Sequence, residues 1–278
     1  VMSVSLPMTT YAANWYLEDG SVTVNADNSG QTVTQGSSPA VSDKAPVITQ
    51  RDSSAETSNT ITINASEENA TANVTISDVN INTSDAAVST NGKGNVNIEL
   101  DGTNTLKSSN WHAGLEKNND GKLTITDKNE NGKLIATGSR YGAGIGGGNQ
   151  RNGSNITITG GEITAIGGYN GAGIGGGDLG GGSNITITGG EITAIGGYSG
   201  AGIGGGNYKD GNDINIAGGK VTATGGDYGA GIGGGLRKEG EKITVSGDAT
   251  LKVQGGSGDG WDGAGAGIGN GGNHNGEF

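Results

Sequence analysis

Short runs in which apolar and polar residues alternate cover most of the chain. In the run I-T-I-T at 156–159, Ile156 and Ile158 share one face and the threonines share the other. The run E-I-T-A-I at 162–166 alternates in the same way, as does G-A-G-I-G-G at 142–147. A period of two, bounded by glycine clusters and polar turns, predicts β-strands. None of these runs has the spacing of a helix.

The three runs recur in a fixed order at intervals of 29 residues. The segment G-A-G-I-G-G-G starts at Gly142, Gly171, Gly200 and Gly229. The segment at 155–166 returns unchanged at 184–195. Identical coils bury their apolar faces most simply by stacking, so each strand is expected to pair in parallel with its copy one coil on. Crossovers between parallel strands are right-handed in almost every case. The sequence therefore predicts an all-β fold, a right-handed single-stranded parallel β-helix with three short strands per coil of about 29 residues.

The first strand of the repeat can be followed through seven coils. Apolar pairs mark it at Val74/Ile76, Val96/Ile98, Leu123/Ile125, Ile156/Ile158, Ile185/Ile187, Ile214/Ile216 and Ile243/Val245. This alignment predicts that Val74 lies beside Val96, and Val96 beside Leu123, in one sheet.

The repeat divides the chain into three parts. Residues 1–13 look like the end of a signal peptide, an apolar stretch followed by small residues at a cleavage site. Residues 14–60 are less regular and predict an N-terminal cap or irregular first coils. Residues 61–278 carry the β-helix repeats. Because no capping element follows the last G-A-G-I-G, we expect a fragment truncated at its C-terminus.

Composition and charge narrow the function classes. The chain has 60 glycines, no cysteine and a net charge of −12. Composition alone would favour disorder, but the periodicity overrides it. The 16 Lys and Arg residues form no basic stripe, which argues against a nucleic-acid partner. The chain has no apolar stretch of about 20 residues, so we expect no membrane insertion. With the signal-like start, we expect a secreted or cell-surface protein that is held together without disulfides.

The glycines of the third run are not a nucleotide loop. The letters G-A-G-I-G-G match the dinucleotide fingerprint G-x-G-x-x-G, but that motif requires a following helix, and none is predicted. We expect instead that the glycines permit left-handed turns and leave the outer face of the third strand bare and flat.

The alternation of G-A-G-I-G-G-G with N-I-T-I-T-G-G-E-I-T-A-I-G-G resembles the glycine-rich repeats of large secreted proteins from anaerobic Gram-positive gut bacteria. Those proteins are described as carbohydrate-binding-domain-containing or adhesin-like surface proteins, and the resemblance covers roughly residues 73–272. It implies secretion, a β-helix, and attachment to glycans or surfaces. A right-handed β-helix is also similar, at the level of the fold, to the pectate-lyase superfamily, whose members cleave acidic polysaccharides.

One aromatic residue precedes the third strand of each coil. The set is Trp111, Tyr141, Tyr169, Tyr198, Tyr228 and Trp261. Stacked coils would space these rings about 5 Å apart, close to the repeat of an extended polysaccharide. Aromatic faces suit pyranose rings, so this aromatic column is the candidate ligand-binding site. The alternative is a stack that only seals the corner between coils.

A second, charged column opens the second strand of each coil. Its members are Lys133, Glu162, Glu191 and Lys220. Neighbouring carboxylates would fit a glycosidase pair or a Ca²⁺ site. However, a catalytic pair needs two different environments, and exact repetition predicts similar ones, so an exposed ion ladder is favoured. We expect no cofactor, and Ca²⁺ stays a weak alternative.

These features predict a non-catalytic, adhesin-like protein that recognises a polysaccharide or glycoprotein through its repetitive surface. A first alternative is a polysaccharide lyase or hydrolase, which would need a break in the repeat where acids and a basic residue converge. Arg140 and Arg151, taken with Glu162, are the candidates for it. A second alternative is a structural stalk that displays another domain.

Overall fold

The chain folds into a parallel β-solenoid. The computed structural model describes residues 13–258 and 263–273. Its coils stack along one axis and contribute strands to three sheets, as the period-two pattern predicts. In the regular part, Ile145 pairs with Ile174, and Ile203 with Ile232, in the 29-residue register of the sequence repeat. The all-β parallel solenoid with three short strands per coil is therefore confirmed, and the right-handed coil stays a prediction.

The strands fall into three sheets, here called sheets 1, 2 and 3 in the order in which a coil visits them. Sheet 1 contains Asn14–Tyr16, Val47–Thr49, Thr71–Ser77, Asn95–Asp101, Leu123–Thr126, Ile156–Ile158, Gly182–Ile187, Gly211–Ile216, Gly240–Glu241 and Thr244–Val245. Sheet 2 contains Asn80–Thr83, Thr103–Ser108, Lys133–Thr137, Glu162–Ile166, Glu191–Ile195, Lys220–Thr224 and Thr250–Gln254. Sheet 3 contains Val22–Asp27, Gly30–Gln35, Val41–Ser42, Ile61–Ala65, Val88–Gly92, Leu115–Lys117, Ile145–Gly146, Ile174–Gly175, Ile203–Gly204, Ile232–Gly233 and Ile268–Gly269. One 3₁₀ turn, Leu17–Asp19, lies in the described residues.

The N-terminal region contains both coils and a cap. Asn14–Tyr16 and Val22–Asp27 pair in parallel with strands of the next coil and so belong to the solenoid. Gly30–Gln35 then folds back antiparallel on Val22–Asp27, and Val41–Ser42 adds a further antiparallel strand. These two strands cover the edge of sheet 3 that would otherwise be open to pairing with another chain.

The register of sheet 1 differs from the predicted alignment at one step. Ile98 pairs with Val74, and Val96 pairs with Ala72, so the prediction that Val74 lies beside Val96 is wrong by two residues. The next step, Val96 with Leu123, agrees. A shift of two residues keeps every side chain on its original face, so the apolar pattern cannot detect it.

The core is a column of inward aliphatic side chains. Ile156, Ile185 and Ile214 of sheet 1 are fully buried, and their counterparts in the other sheets are buried as well. Each inward Ile or Val packs on the equivalent residue of the adjoining coils, and such contacts supply the main favourable term in folding.

The outer side of the third strand is not bare, contrary to the expectation from its glycines. Backbone from neighbouring coils and loops covers it. A Cβ on Gly146 would come within 2.0 Å of the Gly175 carbonyl, and one on Gly147 would come within 2.0 Å of the Arg151 carbonyl. Gly146 also has a φ of +135°, a conformation that side chains disfavour. Glycine is therefore required because main chain packs directly on main chain.

The last described coil is less covered than the others. Val245 and Ile268 are each 46% exposed, although their counterparts Ile216 and Ile232 are fully buried. No helix in the described residues is long and apolar enough to cross a membrane.

The close packing of the third-strand glycines gives the first test. Gly175→Ala should lower the free energy of unfolding by about 3 kcal/mol, because its φ is +134° and the new Cβ would lie 2.0 Å from the Gly204 carbonyl. Gly181→Ala in the same coil is the control, since its Cβ would make an ordinary contact at 3.4 Å. Urea unfolding followed by circular dichroism measures both, and equal midpoints would contradict the close-packing argument.

Candidate functional site

The aromatic residues lie at one corner of the solenoid but form two adjacent columns. Backbone hydrogen bonds define the register: the Ser199 amide donates to the Tyr169 carbonyl, and the Tyr228 amide donates to the Tyr198 carbonyl. Tyr169 and Tyr198 therefore occupy the position of Arg140, one residue before that of Tyr141 and Tyr228. The unequal sequence spacing already carried this signal, because Tyr141 to Tyr169 is one residue short of a repeat. The predicted column of one aromatic residue per coil is corrected accordingly.

The tyrosines of this aromatic corner pack on one another. The ring centroids of Tyr169 and Tyr198 are 4.7 Å apart with an interplanar angle of 15°. Tyr228 meets Tyr198 edge-on at 4.8 Å, and the two hydroxyls share a hydrogen bond of 3.0 Å. The Arg140 guanidinium lies 5.6 Å from the Tyr169 centroid, within range of a cation–π contact. Partial burial, together with the neighbouring Tyr198, raises the pKa of Tyr169.

The exposure of the aromatic side chains differs from coil to coil along the corner. Trp111 is 62% exposed and Tyr169 is 48% exposed, whereas Tyr228 is buried at 3%. Tyr141 and Tyr198 are intermediate. Trp261 lies outside the described residues. Tyr169 and Tyr198 each cover one face of the other's ring, and the Tyr198 hydroxyl is bonded to that of Tyr228, whereas Trp111 makes no ring–ring contact in the described part of the chain.

The loops that follow the third strand, at 149–152, 178–181, 207–210 and 236–239, differ in sequence from coil to coil and are here called the variable loops. They lie beside this corner. The Asn149 amide donates to the Trp111 carbonyl at 2.8 Å, and the Asp178 amide donates to the Tyr141 carbonyl at 2.7 Å. Leu179 and Tyr208 are exposed at equivalent loop positions, both with a left-handed backbone. Aromatic corner and loops thus form one continuous edge whose side chains change from coil to coil.

The charged column forms the predicted ion ladder on sheet 2. The four residues pair in register. Lys133 Nζ lies 2.7 Å from Glu162 Oε2, and Lys220 Nζ lies 2.6 Å from Glu191 Oε1. All four side chains are more than half exposed, so each pair contributes little to stability. Within the described residues, no group of three or more histidine or acidic side chains could hold a metal ion.

Arg140 and Arg151 are not brought together with Glu162. Arg140 lies over the rings of Tyr141 and Tyr169. Arg151 lines a cleft with Trp111, Asn91 and Glu116. The combination suggested for a lyase or hydrolase is therefore not assembled around Glu162.

A break in the glycine repeat lies next to Trp111 and was not predicted from the sequence. Glu116 pairs with Gly146 of the next coil, so a carboxylate stands where the regular coils carry glycine. Lys117 follows it, and both side chains are buried, at 7% and 5% exposure. The available signal was the change from G-I-G-G to G-L-E-K at 114–117.

The carboxylate of Glu116 is fully engaged by its own coil. Its Oε2 accepts hydrogen bonds from His112 Nδ1 at 2.9 Å and from the Ala113 amide at 3.0 Å. Its Oε1 accepts from Asn118 Nδ2 at 2.9 Å. These bonds hold His112 and Asn118 in fixed positions beside Trp111.

Among the described residues, Lys117 is anchored by a single hydrogen bond. Its Nζ donates to the Asn119 carbonyl. Asn119 is held in turn by Thr90 Oγ1, which donates to its Oδ1, and by the Gly94 carbonyl, which accepts from its Nδ2. Burial lowers the pKa of Lys117 to about 8, an effect that the nearby Asp120 partly offsets.

Comparison with known proteins agrees with the fold. A family profile described as a beta helix repeat matches residues 130–149, 156–178, 185–207 and 214–236. The matched segments are the most regular coils, and with the parallel solenoid they define a β-helix repeat protein. No curated protein and no solved structure matches the chain significantly.

The difference in burial between Tyr228 and Tyr169 gives the second test. Tyr228→Ala should lower the free energy of unfolding by about 3 kcal/mol, because it empties a buried site and removes the hydroxyl pair with Tyr198. Tyr169→Ala, at 48% exposure, should cost about 1 kcal/mol or less. Chemical unfolding of both variants checks the order. A larger loss for Tyr169→Ala would mean that the outer ring carries the stability of the corner.

Proposed function

We propose that the protein is a secreted or cell-surface, non-catalytic binding protein that attaches to carbohydrate, free or on glycoproteins. The binding surface is the edge formed by the aromatic corner and the variable loops. The resemblance of the repeats to adhesin-like surface proteins of anaerobic gut bacteria supports this class of function, and so does the signal-like start of the chain.

The exposure of Trp111 carries the proposal. An indole ring that is 62% exposed beside a polar cleft offers an apolar face next to hydrogen-bonding groups, the combination that a pyranose ring requires. Asn118 and Asn149 line the same cleft and bring amide groups that can both donate and accept. The tyrosines farther along offer less free ring face than Trp111, because Tyr169 and Tyr198 are stacked on each other.

Binding is favoured over catalysis by the environment of the repeated carboxylates. Glu162 and Glu191 are equivalent in the repeat, similarly exposed, and each paired to a lysine. A hydrolase pair needs one carboxyl group that holds its proton and one that does not, and matching environments do not produce that difference. A lyase or hydrolase remains the second candidate, with Glu116 and Lys117 as the buried acid and base that would favour it.

The proposal is tested on a glycan array, followed by titration calorimetry with a glycan that binds. Trp111→Ala should reduce affinity by about tenfold or more, because loss of a stacking platform removes the main apolar contact. Tyr169→Ala combined with Tyr198→Ala should weaken binding of longer oligosaccharides, which reach the neighbouring coils.

Tyr16→Ala is the matched control. Tyr16 also carries an arginine over its ring, Arg51 at 4.2 Å, but it lies in the first coil, far along the chain from Trp111. The glycan affinity of the Tyr16→Ala variant should equal that of the unaltered protein. No binding to any glycan would overturn the proposal in favour of a stalk, and release of reducing or unsaturated ends would favour an enzyme.

A further inference from the structure

The repeat break creates a cleft with its own chemistry. Here the repeat-break cleft means the two adjoining depressions that share Asn118 and Arg151. Trp111, His112 and Glu116 line one side, and Lys117 and Asp120 line the other. The regular coils that follow carry glycine where this coil has Glu116 and Lys117, so they do not repeat the arrangement.

The next coil leaves room for this cluster. A Cβ on Gly148 would approach Glu116 Oε2 to 2.6 Å, and one on Gly142 would approach the His112 carbonyl to 2.0 Å. Both glycines belong to the constant segment of the repeat. The buried charges therefore fit the stack without displacing the neighbouring main chain.

The acidic and basic side chains of the repeat-break cleft differ in how many of their hydrogen-bonding groups are used. The acidic side is satisfied, because both oxygens of Glu116 accept hydrogen bonds from its own coil. The basic side chains, Lys117 and Arg151, keep unused donors. The ammonium of Lys117 has three donors, and one hydrogen bond, to Asn119, is found in the described part of the chain. The guanidinium of Arg151 makes no hydrogen bond or ion pair with any described residue.

The unmatched groups are therefore donors with positive charge. They stand out in a chain whose net charge is −12. Asp120 balances part of the charge of Lys117, but its carboxylate is exposed to solvent. A buried lysine with spare donors is best matched by an anionic acceptor, since hydrogen bonds between charged groups are the stronger kind.

We propose that the repeat-break cleft binds a sugar that carries a carboxylate or sulfate group. The anionic group contacts Lys117 and Arg151, and the ring of the same or the adjoining sugar lies against Trp111. This inference rests on the proposed function, and it adds both the place of binding and the class of glycan.

The ionisation of Lys117 gives this site a recognisable pH dependence. Burial lowers the pKa of Lys117 to about 8, so its ammonium form is present below that pH and is lost above it. The other charged groups that line the cleft are Glu116, Asp120 and Arg151. The remaining titratable neighbour, His112, is bonded to Glu116. Affinity for an anionic glycan should therefore fall as pH rises through about 8, whereas affinity for a neutral glycan should not change.

The experiment compares matched glycans that differ in one charged group. Arrayed pairs include 3′-sialyllactose and 3′-sulfolactose, each set against lactose, so that carboxylate and sulfate are tested separately. Anionic members should bind about tenfold or more tightly than their neutral counterparts. Lys117→Met and Arg151→Gln should each remove that preference, and Lys117→Met should also abolish the pH dependence.

Lys209→Gln is the matched control. Lys209 occupies the loop position of Arg151 two coils farther on, where Gly204 and Gly205 stand at the positions of Glu116 and Lys117. Its preference should equal that of the unaltered protein, and circular dichroism confirms that each variant is folded. Equal affinity for charged and neutral members, with Trp111→Ala still harmful, would overturn this inference and leave the proposed function intact. Absence of binding to any glycan would overturn both.

Discussion

Contact of main chain with main chain between coils is the constraint on which the structure depends. Along sheet 3, Gly146, Gly175 and Gly204 each lie so close to the carbonyl of the next coil that a Cβ would stand about 2 Å from it. The same carbonyls accept hydrogen bonds from the following glycine amides at 2.9 Å. This packing fixes the third side of each coil and brings the loop beside the aromatic corner. The abundance of glycine, which by composition alone suggests disorder, is thus a requirement of close packing.

The regular coils and the irregular one have different roles in this arrangement. Repeated positions can carry ladders, such as Lys133 with Glu162, but they cannot readily create the contrast between neighbouring groups that a specific site needs. Such a contrast between neighbouring groups appears in the coil where the glycine repeat is interrupted. Glu116 and Lys117 replace glycines and bring buried charges to the base of Trp111. A regular scaffold with one local exception is a simple way to place a binding site on a solenoid.

The fold was largely predictable from the sequence, because a period of two and a 29-residue repeat leave few ways to bury Ile and Val. Two features could not be predicted, because the alternation of apolar and polar residues does not encode them. The two-residue register shift between Val74 and Ile98 preserves the faces of both strands. The antiparallel cap formed by Gly30–Gln35 depends on an edge that exists only after the coils have stacked.

For the candidate site, the sequence determined that aromatic residues gather at one corner and that Glu162 and Glu191 stand in a ladder with lysines. Tertiary structure alone decided that Tyr169 and Tyr198 cover each other, that Tyr228 is buried, and that Trp111 faces solvent. Periodicity fixes which coil position a residue occupies, because that depends on counting along the chain. The exposure of the aromatic side chains and the unused hydrogen-bond donors of Lys117 depend on which neighbours the stacked coils supply. Counting positions along the chain does not specify those neighbours.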